Sequence, residues 1–266
     1  MLCSLSKRFL SSQTKSNHAI QFILNGKLIT LSEDEFNPSD SLVSFLRSDK
    51  INLKGAKRGC QEGGCGSCTV IQSKYDPVFH RISHRPINSC LTPLLNVHNS
   101  SIITIEKITE SSLRKTGELH PIQKQFEKHN ASQCGFCTPG FIMSSLAMML
   151  NNPKPKYDDF LYHLDGNLCR CTGYRSIIEA LSEFVSNYDR QGQLNDQLKL
   201  NTLIQFDVSN SKHLISDNHH FYIPSHLSEL IELKRLNPKL PLIVGNSELL
   251  ISSKPTNILL PKFAEH

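Results

Sequence analysis

Eight of the nine cysteines fall into two quartets, and these are the residues best suited to carry chemistry. The first quartet reads C-x4-C-x2-C with a fourth cysteine 21 residues later, and consists of Cys60, Cys65, Cys68 and Cys90. The second reads C-x2-C, then 31 residues, then C-x-C, and consists of Cys134, Cys137, Cys169 and Cys171. Four thiolates at the first spacing are typical of a 2Fe–2S cluster. Two quartets therefore predict two clusters and an electron relay.

Zinc and disulfides are the alternative uses for sets of four cysteines. Structural zinc usually takes two C-x2–4-C pairs. The first quartet departs from this pattern because Cys68 follows closely on Cys65 and Cys90 stands alone. The second quartet departs from it because it ends in C-x-C. Disulfides belong to oxidising compartments, and the sequence begins without an apolar signal segment. The sequence favours iron–sulfur at both sites and leaves zinc as the alternative. The ninth cysteine, Cys3, lies in a polar tail and is predicted to be an inert free thiol.

Composition excludes two classes of partner. Of the 266 residues 38% are hydrophobic, without an apolar run of about 18 residues that could span a membrane. The net charge is +5, but the basic residues are dispersed and not interleaved with aromatics, so we expect no nucleic-acid surface. Some basic residues flank the ligands and are candidates for tuning an anionic cluster, with solvated surface positions as the alternative. They are Lys54, Lys57, Arg58, Arg170 and Arg175.

Residues 1–18 are predicted to form a disordered tail. They contain Lys7, Arg8 and Lys15, many serines and no acidic residue, a composition that weakly resembles a mitochondrial transit peptide. A short extension of a cytoplasmic protein is the preferred interpretation, with a mitochondrial or peroxisomal location as the alternative.

Residues 19–107 are predicted to form a small ferredoxin-like β-grasp domain. Asn25-Gly26 separates two alternating runs and is a strong hairpin signal, since both turn positions need positive φ. Asp40 or Ser41 can cap a short apolar helix. The glycine-rich loop from Gly59 to Cys68 suits a backbone that curls around a cluster and aims N–H groups at its sulfurs. Strands are expected at Thr69–Ile71 and Ile102–Ile105.

Residues 108–188 are predicted to form an all-α domain of four helices. The helices are expected from Pro121, over Gly140–Leu150, over Tyr157–Leu164 and from Thr172 to Val185. The second quartet then lies just before the N-termini of two helices. The positive dipole end and exposed N–H groups favour an anionic cluster there.

The remaining sequence is interpreted as a linker and a partial domain. Residues 189–220 are polar and are predicted to form the linker. From 221 to 266 we expect a helix ending at Leu236 and a strand over Leu240–Val244. These 46 residues are too few for an independent core. The fold class is therefore α+β, with an incomplete third domain.

Three separated motifs resemble the xanthine dehydrogenase and aldehyde oxidase family of molybdenum hydroxylases. They span residues 59–69, 132–140 and 166–175, in the order G-C-Q-E-G-G-C-G-S-C-T, S-Q-C-G-F-C-T-P-G and G-N-L-C-R-C-T-G-Y-R. The resemblance covers residues 19–188. The segment Leu242–Glu248 also resembles the start of that family's FAD domain.

The resemblance implies a function in electron transfer. In such a protein electrons would pass from a molybdopterin centre through the helical-domain cluster and the ferredoxin-like cluster to FAD, and then to NAD or dioxygen. The parent enzyme would be a homodimer. Gln133 and Cys171 would lie on the side that faces the pterin. The flavin contacts would be Val244, Gly245, Asn246, Ser247 and Glu248.

The sequence departs from the family pattern in three ways. Gln61 stands where many members have glycine, which would cost roughly 1 kcal/mol if φ is positive there. Leu250 stands where a glycine is usual, which disfavours FAD binding. The FAD and molybdenum domains would have to come from missing domains or subunits. The alternatives are a stand-alone two-cluster carrier and a zinc-stabilised interaction module.

Overall fold

The computed structural model describes residues 19–37, 40–76, 79–152, 154–187, 212–216, 219–224, 226–243 and 257–259. Seven α-helices and eight strands lie within these ranges. The helices are α1 Leu42–Leu46, α2 Ile105–Thr116, α3 Pro121–Lys128, α4 Thr138–Asn151, α5 Tyr157–Leu164, α6 Arg175–Asn187 and α7 Leu227–Leu236. The strands are β1 Ala19–Leu24, β2 Lys27–Ser32, β3 Thr69–Asp76, β4 Arg81–Asn88, β5 Ser101–Ile103, β6 Lys212–Ser216, β7 His219–Ile223 and β8 Asn257–Leu259.

The first five strands form one mixed sheet in the order β2-β1-β5-β3-β4. β1 and β2 form the predicted hairpin, with Asn25 and Gly26 at positive φ in its turn. Strand β5 returns parallel to β1 and antiparallel to β3. Helix α1 starts after Ser41, whose hydroxyl accepts a hydrogen bond from the Ser44 N–H, so Ser41 is the cap. These elements hold the glycine-rich loop at the start of β3.

Helix α4 connects the sheet to the other helices. Its central residues are buried, and it contacts both β3 and β4. The hydrophobic cluster around it combines helical residues such as Phe141 and Phe184 with Ile71 and Ile103 of the sheet. The sheet and the helices therefore share a core. Within the described ranges no helix has the length and apolar character needed to cross a bilayer.

The helical region differs from the sequence prediction at its start. Ile105 was assigned to a strand, but β5 ends at Ile103 and α2 begins at Ile105. This helix was missed, so five helices rather than four lie between residues 105 and 187 of the described chain. Gly117, at φ 72°, ends α2 in the left-handed conformation that glycine adopts readily. Helix α6 starts at Arg175 rather than directly after Thr172.

The predicted linker is also partly wrong. Residues 212–216 form a strand that pairs antiparallel with β7, and Phe221 and Ile223 of β7 are buried against the first sheet's core. The largely polar sequence of β6 does not predict this strand pairing. The predicted strand over Leu240–Val244 is not a strand in its described part, where only Leu242 forms an isolated bridge. Val244 lies outside the described residues, as do Cys3 and the tail over residues 1–18.

Candidate metal centres

The first site lies in the loop between α1 and β3. The Cys60 N–H donates to Cys65 Sγ at 3.5 Å, and the Glu62 N–H donates to Cys60 Sγ at 3.4 Å. The sulfurs of Cys68 and Cys90 are 3.4 Å apart in the buried part of the site. The loop thus directs backbone donors at its sulfurs, as the glycine content predicted, and gathers its thiols in two pairs.

These contacts change the acidity of the first set of thiols. Burial opposes ionisation of Cys65, but hydrogen bonds from Cys60 and Ser67 outweigh it and lower the pKa of Cys65. The contact with Cys90 lowers the pKa of Cys68 to about 6, while that of Cys90 is raised by the same contact and by burial. Cys65 and Cys68 are therefore favoured in the thiolate form that metal ligation requires, while the Cys90 thiol beside Cys68 is favoured in its protonated form.

The second site lies before the N-termini of α4 and α6. Cys134 and Cys137 precede α4, while Cys169 and Cys171 precede α6. The Cys137 thiol lies against Cys169, and the Cys171 thiol lies against Cys134. The Thr172 N–H donates to Cys169 Sγ at 3.4 Å. The described backbone thus brings together two cysteine pairs that are far apart in sequence.

The second set of thiols responds to burial and to its neighbours. Burial raises the pKa of Cys137 to about 12, with Cys169 adding to the effect. Burial also opposes ionisation of Cys169, but hydrogen bonds from Thr172 and Cys171 outweigh it and lower its pKa. Contact with Cys134 raises the pKa of Cys171. In the pair formed by Cys137 and Cys169, Cys169 is therefore the thiol that ionises more readily to the thiolate.

The pairing of the sulfurs fits a 2Fe–2S cluster. All eight cysteines are free thiols. A 2Fe–2S cluster held by four cysteines offers two irons, so each of the two pairs of sulfurs at a site would hold one iron.

The two sites are in direct contact through their loops. The Leu168 N–H donates to the Cys65 carbonyl at 3.0 Å, and Leu168 is bonded to Cys169. A Cβ on Gly140, in the first turn of α4, would lie 2.2 Å from the Gly66 carbonyl oxygen. The backbone of α4 can approach the Gly66 carbonyl this closely because residue 140 has no Cβ. Cys65 of the first quartet is thereby connected to Cys169 of the second through the hydrogen bond to Leu168 and the peptide bond between Leu168 and Cys169.

The other predicted residues have mixed outcomes. Gln133 is exposed directly before Cys134, on the open side of the second site. The predicted flavin contacts at 244–248 lie outside the described residues. Of the flanking cations, Arg58 donates to the Ser44 hydroxyl at 2.7 Å, Lys57 donates to the Lys54 carbonyl at 3.1 Å, and Arg175 pairs with Glu179 at 3.0 Å. These contacts are typical of surface residues.

The sequence analysis missed three polar residues at the sites. Ser67 Oγ lies 3.2 Å from Cys65 Sγ, and Thr172 Oγ1 lies 3.1 Å from Cys169 Sγ. The hydroxyl of Tyr174 accepts the Cys169 N–H at 3.1 Å. A search for hydroxyl residues within a few positions of each cysteine would have found them.

Known proteins share these features. Residues 104–182 match the family model described as a [2Fe-2S] binding domain. Xanthine dehydrogenase of Drosophila subobscura is 34% identical over 95% of this chain and 21% of its own length. Aldehyde oxidase 1 of Oryctolagus cuniculus is 44% identical over 63% of this chain and 12% of its own length. The chain thus spans about a fifth or less of the curated relatives it matches.

A solved structure supports the same assignment. A chain of quinoline 2-oxidoreductase from Pseudomonas putida 86 aligns with a TM-score of 0.54 and 34% identity, over 65% of this chain and 96% of that chain. The fold and the cysteine sites define an iron–sulfur portion of an oxidoreductase. The chain belongs to the xanthine dehydrogenase and aldehyde oxidase family of molybdenum hydroxylases.

Proposed function

We propose that this chain binds two 2Fe–2S clusters and conducts electrons between them. The ligands would be the two quartets already described, the first in a ferredoxin-like β-grasp domain over 19–107 and the second in a helical domain over 108–188. The contact between the two sites, through the Leu168 N–H and the Cys65 carbonyl, is the observation that carries the proposal. A four-cysteine 2Fe–2S cluster supplies one-electron redox chemistry when bound.

The chain's own residues would hold and orient each group. The backbone N–H groups of Glu62 and Thr172 stabilise thiolate sulfurs from outside the ligand set. Burial of Cys68, Cys90 and Cys169 keeps water from one side of each site. Cys60 is exposed at the first site, as are Cys134 and Cys171 at the second. Each site therefore has an open side, which is marked by its exposed cysteines.

The open sides are where we place the partners. By resemblance to the family, the side of the second site with Gln133 and Cys171 would face a molybdopterin centre, and the side of the first site with Cys60 would face FAD. Residues 244–248 would contribute to the flavin site. The FAD and molybdenum domains, the homodimer and the NAD or dioxygen acceptor belong to the complete enzyme in this proposal.

A second candidate function is that of a separate iron–sulfur subunit. The alignment with the quinoline 2-oxidoreductase chain covers 96% of that chain, which extends little beyond the iron–sulfur portion. A chain of this kind would work with a separate catalytic subunit. Purification from its source under mild conditions distinguishes the two, since a subunit would co-purify with a separate flavin- or molybdenum-containing chain.

Metal analysis tests the proposed function. The anaerobically purified chain should contain about four irons and four acid-labile sulfides, as two clusters require. It should be brown and should bleach on reduction with dithionite. Zinc at either quartet would instead support the interaction module. A single cluster per chain would contradict the relay.

A further inference from the structure

Each site contains a side-chain hydroxyl that lies against a ligand sulfur. Ser67 Oγ lies 3.2 Å from Cys65 Sγ, and Thr172 Oγ1 lies 3.1 Å from Cys169 Sγ. In a free thiol either atom of such a contact could donate. A cysteine that binds iron has lost its proton, so only the hydroxyl can donate. Both contacts therefore become O–H···S hydrogen bonds to a ligand.

The surroundings of Thr172 fix the direction of its hydroxyl proton. Thr172 Oγ1 accepts a hydrogen bond from the Tyr174 N–H at 3.1 Å. The Thr172 N–H itself points at Cys169 Sγ from 3.4 Å. The hydroxyl proton is left to point at the sulfur, and Thr172 thus gives Cys169 both a backbone and a side-chain donor.

Ser67 is held at the first site by burial. Its side chain is almost fully buried, with 3% of the residue exposed, between Cys65 and Cys68. Water has little access to compete for its hydroxyl. The two sites thus use the same device on different elements, a serine within the glycine-rich loop and a threonine before α6.

We propose that Ser67 and Thr172 are positioning residues that raise the reduction potential of the cluster each one touches. The proposal rests on the proposed function, because it requires two bound clusters. A bound cluster gains one electron on reduction, and part of the added negative charge resides on its ligand sulfurs. A hydrogen-bond donor stabilises the more negative state more strongly than the oxidised one, and hydrogen bonding to sulfur is a known control on potential.

Removal of one hydroxyl should lower the potential of one cluster only. Thr172→Val keeps the side-chain shape and should reduce the ratio of reduced to oxidised second cluster about tenfold at a fixed potential, which is ~59 mV for one electron. Ser67→Ala should shift the first cluster in the same direction and leave the second at its wild-type potential. Thr172→Ser retains a hydroxyl and should restore the wild-type value.

Ser132→Ala supplies a matched control beside the second site. Ser132 Oγ lies 2.8 Å from Thr138 Oγ1, two residues before Cys134, and is exposed. It has a hydroxyl two residues from a ligand cysteine, but this hydroxyl pairs with Thr138 and not with a sulfur. This variant should leave both potentials unchanged.

Redox titration of the cluster-loaded full chain, monitored by low-temperature paramagnetic resonance, measures both potentials separately. The proposal is supported if each hydroxyl deletion shifts its own signal to lower potential and Thr172→Ser does not. It is overturned if the deletions leave both potentials in place, or if Ser132→Ala shifts the second as far as Thr172→Val does. If Thr172→Val does not retain the second cluster, the reduction potentials of Ser67→Ala and Thr172→Ser test the proposal. Absence of two signals in the wild-type chain would instead refute the proposed function.

Discussion

Gln61 adopts a conformation that its side chain disfavours. Its φ is 62°, and it lies directly after Cys60 in the loop of the first site. A left-handed backbone costs a residue with a Cβ roughly 1–2 kcal/mol relative to glycine. The expectation from the family's usual glycine is therefore confirmed, and the loop holds Gln61 in place through the surrounding turn.

Replacement of Gln61 by glycine should stabilise the loop. Gln61→Gly removes the steric cost but adds flexibility to the unfolded chain, so the expected net gain is about 0.5–1 kcal/mol in the free energy of unfolding. Gln61→Ala keeps the Cβ and serves as the control. Denaturant titrations of the cluster-loaded chains measure both. Equal stability of the two variants would show that φ at this position is not a source of strain.

At the residue scale, sequence spacing predicts two groups of cysteines, and the structure brings the members of each group together in pairs. The two quartets were identified because ligand cysteines recur at characteristic separations. The helix predicted from Pro121 is α3, and His120 directly before it accepts the Ile122 N–H as its cap. Ser67 and Thr172 were missed because their contact with sulfur depends on loop conformation, which spacing does not encode.

The junction between the glycine-rich loop and α4 is the element on which the proposed electron relay depends. Gly140 allows α4 to approach the Gly66 carbonyl, and the Leu168 N–H meets the Cys65 carbonyl beside it. Ser144 and Asn167, which are both buried, hydrogen-bond at 2.9 Å across the same region. The two sites are thus coupled by backbone contacts that leave no room for a side chain.

A methyl group at Gly140 should separate the two loops. Gly140→Ala would place a Cβ 2.2 Å from backbone, which cannot rotate away, and overpacking of this kind typically costs about 1–3 kcal/mol. Gly64→Ala, where a Cβ meets nothing within 4 Å, is the control in the loop of the first site. Thermal unfolding should show a lower midpoint for Gly140→Ala than for Gly64→Ala. Equal midpoints would contradict the close approach.

Buried His84 makes the joint between β4 and α4 sensitive to pH. Burial lowers its pKa to about 4. Its ring Nδ1 lies 2.8 Å from Ser73 Oγ, and its backbone N–H donates to Asn151 Oδ1 at 3.1 Å. Neither partner carries a charge that could stabilise a protonated ring. The pKa of this histidine in the unfolded chain is the ordinary value near 6.5. Between pH 6.5 and pH 4 the unfolded chain therefore binds a proton that the folded chain does not bind.

Stability should fall as the pH drops from about 6.5 toward 4. The loss between pH 7 and pH 5 is expected to be roughly 2 kcal/mol from this residue alone. His84→Gln should flatten that part of the profile, while His163→Gln, at an exposed histidine on α5, should not. Denaturant titrations over this pH range provide the test. An unchanged slope in His84→Gln would assign the pH dependence to other groups.

Element-scale prediction worked where periodicity and turn chemistry agreed. The Asn25-Gly26 hairpin and helix α5 at Tyr157–Leu164 lie where the sequence placed them. Helix α2 was missed because Ile105 follows directly on strand residues, and only Thr104 and Gly117 indicate its ends. Strand β6 was missed because its apolar partners come from β7, so its own sequence looks like a linker.

At the scale of the whole molecule, the two candidate sites adjoin each other and each has exposed cysteines. The loops meet through the Leu168 N–H and the Cys65 carbonyl, while Cys60 is exposed at the first site and Cys134 and Cys171 are exposed at the second. A carrier needs this arrangement, with short separation between its groups and an exposed edge at each end. The two regions proposed as domains share a hydrophobic core around α4, so damage at one site should perturb the other without abolishing it.

Single-ligand variants give the most direct test of two clusters in two quartets. Low-temperature paramagnetic resonance of the reduced wild-type chain should show two distinct signals. Cys65→Ser should remove the first and retain the second, slightly altered because the loops touch, and Cys137→Ser should do the reverse. A single signal in the wild-type chain, or loss of both signals from either variant, would contradict the account.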